Sequence, residues 1–122
     1  MSKVLLLIDD NPIDLMINQK TVERYDDQVE VHKANGAQEA LDLIQSNKVN
    51  PNCVLLDIKM PGMDGFGFLS ALRASGMEVK FDIHMLSSSI DPSDLENAKN
   101  NPLVHTYIEK PLNQEKLAKI KL

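Results

Sequence analysis

The chain predicts an α/β fold, a doubly wound sheet of five parallel strands alternating with helices. Three observations carry that expectation. Val4-Leu5-Leu6-Leu7-Ile8 and Cys53-Val54-Leu55-Leu56 are apolar without alternation, the pattern of strands buried on both faces. Asn11-Pro12-Ile13-Asp14 and Asp91-Pro92-Ser93-Asp94 each supply a capping side chain, a proline at the first helical position and an acid two residues on. Strand-like and helix-like segments then take turns along the chain, as parallel βα units require.

The elements follow in order. After the first strand, a helix from Pro12 to about Arg24 is expected to bury Leu15, Ile17 and Val22. Val29 to Ala34 reads as the second strand, and Ala37, Ala40, Leu41 and Ile44 share one face of a second helix. Asn35-Gly36 would ordinarily suggest a hairpin, but helical periodicity follows it, so it reads as a strand-to-helix turn. The third strand is Cys53 to Leu56. Phe66, Leu69 and Leu72 mark a third helix that ends near Gly76, a glycine suited to the position just past a helix. Ile83 to Leu86 gives the fourth strand, Asp91 opens the fourth helix, and His105 to Glu109 gives the fifth strand. A short helix from Asn113 to the end closes the chain, with Leu117 and Ile120 as apolar anchors and Lys116, Lys119 and Lys121 suited to its C-terminal dipole.

At 122 residues the chain is sized for one domain, 1–122, with no segment left over for an output domain. Hydrophobic residues make up 43 % and tryptophan is absent, so the core must be mainly aliphatic. The net charge of −5, with lysines scattered rather than gathered in a stripe, argues against binding nucleic acid. Cys53 is alone within an apolar run and reads as a small core residue. The first apolar run has five residues, too short for a signal-peptide core or a membrane span, so a cytoplasmic location off the membrane is expected.

Open α/β sheets gather their chemistry at the C-terminal ends of the strands. Here those ends carry Asp9-Asp10, Asp57, Ser87-Ser88-Ser89 and Glu109-Lys110-Pro111. Carboxylates brought together repel one another unless a cation lies among them. Oxygen donors without histidine or cysteine suit Mg2+, with Mn2+ as a substitute. Neighbouring strand residues point to opposite faces, so Asp9 and Asp10 can share an ion only if the chain is already leaving the strand there. An aspartate is also a competent nucleophile toward phosphorus, with Lys110 as a countercharge and the Ser87 hydroxyl as a donor to a phosphoryl oxygen.

Four segments in this order resemble the receiver domain of two-component response regulators, of the single-domain chemotaxis type. They are Leu6-Leu7-Ile8-Asp9-Asp10-Asn11, Leu55-Leu56-Asp57-Ile58-Lys59-Met60-Pro61-Gly62-Met63-Asp64-Gly65, Met85-Leu86-Ser87-Ser88, and Tyr107-Ile108-Glu109-Lys110-Pro111. The resemblance implies the flavodoxin-like strand order 2-1-3-4-5 and Asp57 as phosphoacceptor. It implies Mg2+ held by Asp10, Asp57 and the Lys59 backbone carbonyl, with Asp9 reached through water. It also implies a cis peptide at Lys110-Pro111 and a switch in which Ser87 moves inward and Tyr107 follows. The partners implied are a histidine kinase or histidine phosphotransfer protein, and a downstream protein at the face of the fourth helix, fifth strand and fifth helix.

Ser87 stands where this family often has threonine, which keeps the hydroxyl and loses a restricting methyl. Lys59 and Ser89 occupy positions where receiver phosphoryl lifetimes are tuned, although Ser89 reads better as part of a loop leading to Asp91. His32, His84 and His105 fall within strands and read as structural. Two alternatives belong to other classes. A metal-dependent phosphatase with an aspartyl nucleophile would want a second acid at the position of Lys59. A phosphorylation-independent docking module would be expected to have lost some of the acids or the lysine.

Overall fold

In the computed structural model, which describes residues 3–120 and residue 122, strands and helices alternate strictly. They are β1 (Val4–Ile8), α1 (Pro12–Tyr25), β2 (Glu30–Ala34), α2 (Ala37–Gln45), β3 (Cys53–Leu56), α3 (Gly65–Ala74), β4 (Asp82–Ser87), α4 (Pro92–Asn100), β5 (Val104–Glu109) and α5 (Gln114–Lys119). The sheet is parallel throughout, in the order β2-β1-β3-β4-β5. Lys121, expected in the last helix, lies outside the described residues.

Side chains alternate between the two faces of a strand, so the unbroken apolar run of β1 is shared between two cores. Leu6 and Ile8 join Val54, Leu56, Ile83 and Met85 under Ala40, Leu41 and Ile44 of α2 and Phe68, Leu69 and Leu72 of α3. Leu5 and Leu7 join Cys53, Leu55 and Ile108 on the other face, covered by Leu15 and Val22 of α1 and Leu117 of α5. Each fully buried leucine among these is worth about 2 kcal/mol of transfer free energy.

The helix starts form as the sequence suggests. Asn11 Oδ1 accepts the amides of Ile13 and Asp14 at 2.9 and 3.3 Å, and Asp91 Oδ1 accepts the Ser93 amide at 2.9 Å. Gly76 takes φ +73° just beyond α3, a conformation that favours glycine. Asn35-Gly36 is a strand-to-helix turn, with the Asn35 amide donating to the Glu39 carboxylate at 3.0 Å.

Two side chains depart from expectation. Ile17 is 51 % exposed, because the inward stripe of α1 runs through Leu15, Asn18 and Val22, and Ile17 falls outside that 3.6-residue period. In α3 the buried stripe is Gly65, Phe68, Leu69 and Leu72, which leaves Phe66 only partly buried. Gly65 has a specific reason to be glycine. A Cβ there would lie 2.5 Å from the Asp57 carbonyl oxygen and 3.1 Å from Ile58 Cα, so α3 begins directly against the backbone after β3. Among the described residues, no helix is long and apolar enough to cross a membrane.

Candidate functional site

β1 ends at Ile8, and the Asp9 amide still donates to the Ala34 carbonyl at 3.2 Å before the chain turns away. Asp9 is buried and Asp10 exposed, yet both reach the same place because they lie past the strand end. From the adjacent strand, the Asp57 amide donates to the Ile8 carbonyl at 3.0 Å, which sets that carboxylate beside them. Asp9, Asp10 and Asp57 each present an oxygen, and these lie within 4.8 Å of one another.

Lys110 enters from the far end of the chain. Its backbone amide donates to the Ser87 carbonyl at 2.9 Å, and the Lys110-Pro111 peptide is cis. The ammonium donates to Asp9 Oδ2 at 3.0 Å and Asp14 Oδ2 at 3.1 Å, and stands 3.7 Å from Asp57 Oδ2. Asp57 Oδ1 accepts the Ile58 amide at 2.9 Å, so Oδ2 is the oxygen turned toward the cation and the other acids.

Burial first, and then the nearby charge of Asp9, push the Asp57 carboxyl up to about 6, despite the pull of Lys110 and the Ile58 amide. Burial works against the Lys110 charge, but hydrogen bonds and attraction from Asp9, Asp57 and Asp14 outweigh it and hold that ammonium above its ordinary pKa. One ammonium therefore leaves the acids under-compensated. An all-oxygen donor set with residual negative charge fits a hard divalent cation such as Mg2+, which takes carboxylate oxygens and keeps several waters.

Ser87 is buried at the end of β4, and its Oγ accepts the Ser89 amide at 3.1 Å. Tyr107 of β5 is half-buried and donates its hydroxyl to the Ser89 carbonyl at 2.8 Å, so both are tied to one loop residue. The Ser89 hydroxyl in turn donates to Asp94 at 2.7 Å and accepts the Asp91 amide at 3.2 Å, the contacts of a loop leading into a helix cap. Lys59 reaches over the same loop to Asp94 at 3.4 Å.

The histidines have partners within the protein. His32 bonds Glu30 at 2.7 Å, His105 accepts the Ile83 amide at 3.1 Å, and His84 bonds Thr106 at 2.6 Å. Burial, and then the charge of His105, lower the pKa of His84. Cys53 is buried, and that burial, with Asp82 nearby, pushes its thiol up to about 12, as suits an inert core residue.

Two participants escape a reading of the sequence alone. Asp14 reads there as a helix-start acid but also holds Lys110, 96 residues away. Asp94 reads the same way but joins Lys59 and Ser89. The signal both share is an acid three residues beyond a capping residue, which also describes acids that face only solvent.

A parallel sheet with acids gathered at the C-terminal ends of β1 and β3, and a lysine after β5, defines a narrow class of α/β protein. The family model of the response regulator receiver domain matches residues 5–121, and the chain belongs to that family. It is 34 % identical over 116 residues to the two-component response regulator ARR10 of Arabidopsis thaliana, covering 95 % of this chain and 20 % of that protein. The chain thus spans about a fifth of the length of the plant regulators it matches. A two-component response regulator from Cytophaga hutchinsonii superposes with a TM-score of 0.86 at 27 % identity, over 98 % of this chain and 94 % of that one. The phosphorylated cyanobacterial phytochrome response regulator RcpA superposes with a TM-score of 0.81 at 25 % identity, over 98 % and 89 % of the two chains. The chain is a receiver domain of the two-component type.

Proposed function

We propose that Asp57 accepts a phosphoryl group from a histidine kinase or histidine phosphotransfer protein, and that the adduct switches contacts with a downstream protein. The observation that carries this reading is the setting of Asp57 Oδ2, beside Lys110 and within 4.8 Å of oxygens from Asp9 and Asp10. Oδ2 attacks phosphorus as the phosphorus–nitrogen bond of a phosphohistidine breaks, and the electron pair leaves on the imidazole. A relative described as phosphorylated shares the fold at 25 % identity and supports the same chemistry here.

Asp10, Asp57 and the Lys59 carbonyl would hold Mg2+, with Mn2+ as a substitute. Asp9 would be reached through water, in keeping with its two oxygens already accepting from the Asn11 amide at 3.0 Å and from Lys110. When bound, the ion neutralises charge on the transferring group. Lys110 neutralises a further phosphoryl oxygen, and the Ser87 hydroxyl donates to another. Ser87 Oγ accepts the Ser89 amide while its own O–H is free to donate, so drawing Ser87 inward pulls on Ser89, and Tyr107, which holds the Ser89 carbonyl, moves with that loop. The response is a population shift at the face of α4, β5 and α5, where the downstream protein docks. On this reading the domain works in the cytoplasm and catalyses no reaction beyond its own phosphorylation and dephosphorylation.

Incubation with acetyl phosphate and Mg2+ should add one phosphate by intact mass, and chelation should abolish the addition. An adduct on Asp57→Asn equal to that on the parent protein would overturn the assignment.

A further inference from the structure

Asp94 lies in the first turn of α4, apart from the acid cluster, and its side chain is only 13 % exposed. A single oxygen, Oδ2, serves two different loops. Ser89 Oγ donates to it at 2.7 Å, and Lys59 Nζ stands 3.4 Å from it. Lys59 is two residues past Asp57 and Ser89 two residues past Ser87, so this carboxylate bridges both loops that border the reacting oxygen.

We infer that Asp94 is a positioning residue that sets the phosphoryl lifetime, by holding the Lys59 ammonium in competition with the phosphoryl oxygens on Asp57. This rests on the reading of Asp57 as phosphoacceptor. A phosphoryl group brings nearly two negative charges within two residues of Lys59, and those oxygens attract the same ammonium that Asp94 holds. Several contacts already crowd Asp57. Lys110 and Asp9 fill one side, the Ile58 amide holds Oδ1, and Gly65 packs on the carbonyl. On this inference the water that attacks the phosphoryl group enters past Lys59, whose side chain is 70 % exposed beside the site. In hydrolysis its oxygen bonds to phosphorus as the bond to Asp57 breaks, the electron pair returns to the carboxylate, and the water proton passes to solvent. An ammonium paired with the phosphoryl group obstructs that entry, whereas one parked on Asp94 leaves it open.

Asp94→Asn isolates this effect. The amide oxygen still accepts from Ser89, but the charge that detains Lys59 is gone. Wild type, Asp94→Asn, Lys59→Gln and the double variant would be phosphorylated with acetyl phosphate and Mg2+, desalted rapidly, and followed by intact mass. The lifetime in Asp94→Asn should lengthen roughly threefold or more, and Asp94→Asn should add nothing in the Lys59→Gln background. An unchanged lifetime in Asp94→Asn, or the same lengthening without Lys59, would overturn the inference while leaving Asp57 as phosphoacceptor. Wild type that forms no adduct at all would overturn both. As a second readout, the Lys59 side-chain 13Cε resonance of the unphosphorylated protein should move on Asp94→Asn, and a stationary resonance would show that the pair does not form.

Discussion

Replacing Asp57 by asparagine removes a charge from a place where the fold disfavours it, so the metal-free protein should become more stable. Unfolded, the carboxyl titrates at 3.8, and in the folded protein burial and Asp9 push it up to about 6. The folded state therefore holds its proton longer, and stability falls as pH rises from about 4 to 6 and stays low above that. The difference corresponds to at most about 3 kcal/mol, and screening at the open mouth of the site reduces it to roughly 1–2 kcal/mol. Asparagine keeps an oxygen for the Ile58 amide, so little else is lost. Thermal unfolding in EDTA at pH 7.5 should show Asp57→Asn melting about 3–8 °C above the parent protein. That gap should narrow as pH drops toward 4, and Mg2+ should narrow it at pH 7.5 by stabilising the parent more. A parent protein that melts at or above the variant in EDTA, or a gap that ignores pH, would refute the electrostatic account.

Three other expectations follow from neighbouring features. Lys110→Met leaves Asp9, Asp14 and Asp57 without their shared ammonium and should cost about 1–3 kcal/mol in urea unfolding under EDTA, with phosphoryl uptake slowed at least about tenfold. Gly65→Ala places a methyl 2.5 Å from the Asp57 carbonyl, so it should lose about 2–4 kcal/mol by chemical denaturation; a loss below about 0.5 kcal/mol would show that α3 can back away freely. His84 is held below its ordinary pKa of 6.5 by burial and His105, so the stability it confers is complete above about 6.5 and declines as pH falls below that. Urea midpoints at pH 7.5 and 5.5 should therefore differ less in His84→Asn than in the parent protein, and an equal difference would contradict the assignment.

The strand and helix order was legible because β1 and β3 are apolar on both faces and two helices carry paired asparagine–proline or aspartate–proline starts. Strand-end chemistry was legible for a related reason. A polar residue directly after a buried run marks where the chain reaches the edge of the sheet, and Asp9, Asp57 and Lys110 all occupy such places. Ile17 was misread because an isoleucine on a helix suggests burial, yet α1 turns Asn18 inward instead. Phe66 and Phe68 are separated only by the phase of α3, which Gly65 fixes through contact with Asp57, a tertiary constraint with no local trace. Asp14 and Asp94 act across elements, and one-dimensional spacing carries no record of partners from other loops.

The ammonium of Lys110 and the carboxylate of Asp9 are 101 residues apart in sequence. During synthesis the three acids emerge long before their cation, and they become neighbours once β1 and β3 pair. β5 is the outer strand on the β4 side, so its docking brings in the first compensating charge. Until then a chain with most of its sheet in place carries concentrated negative charge at one edge. Normal competence for phosphate, which needs Lys110 in place, would thus report that the outermost strand has docked, making the site a gauge of completed assembly.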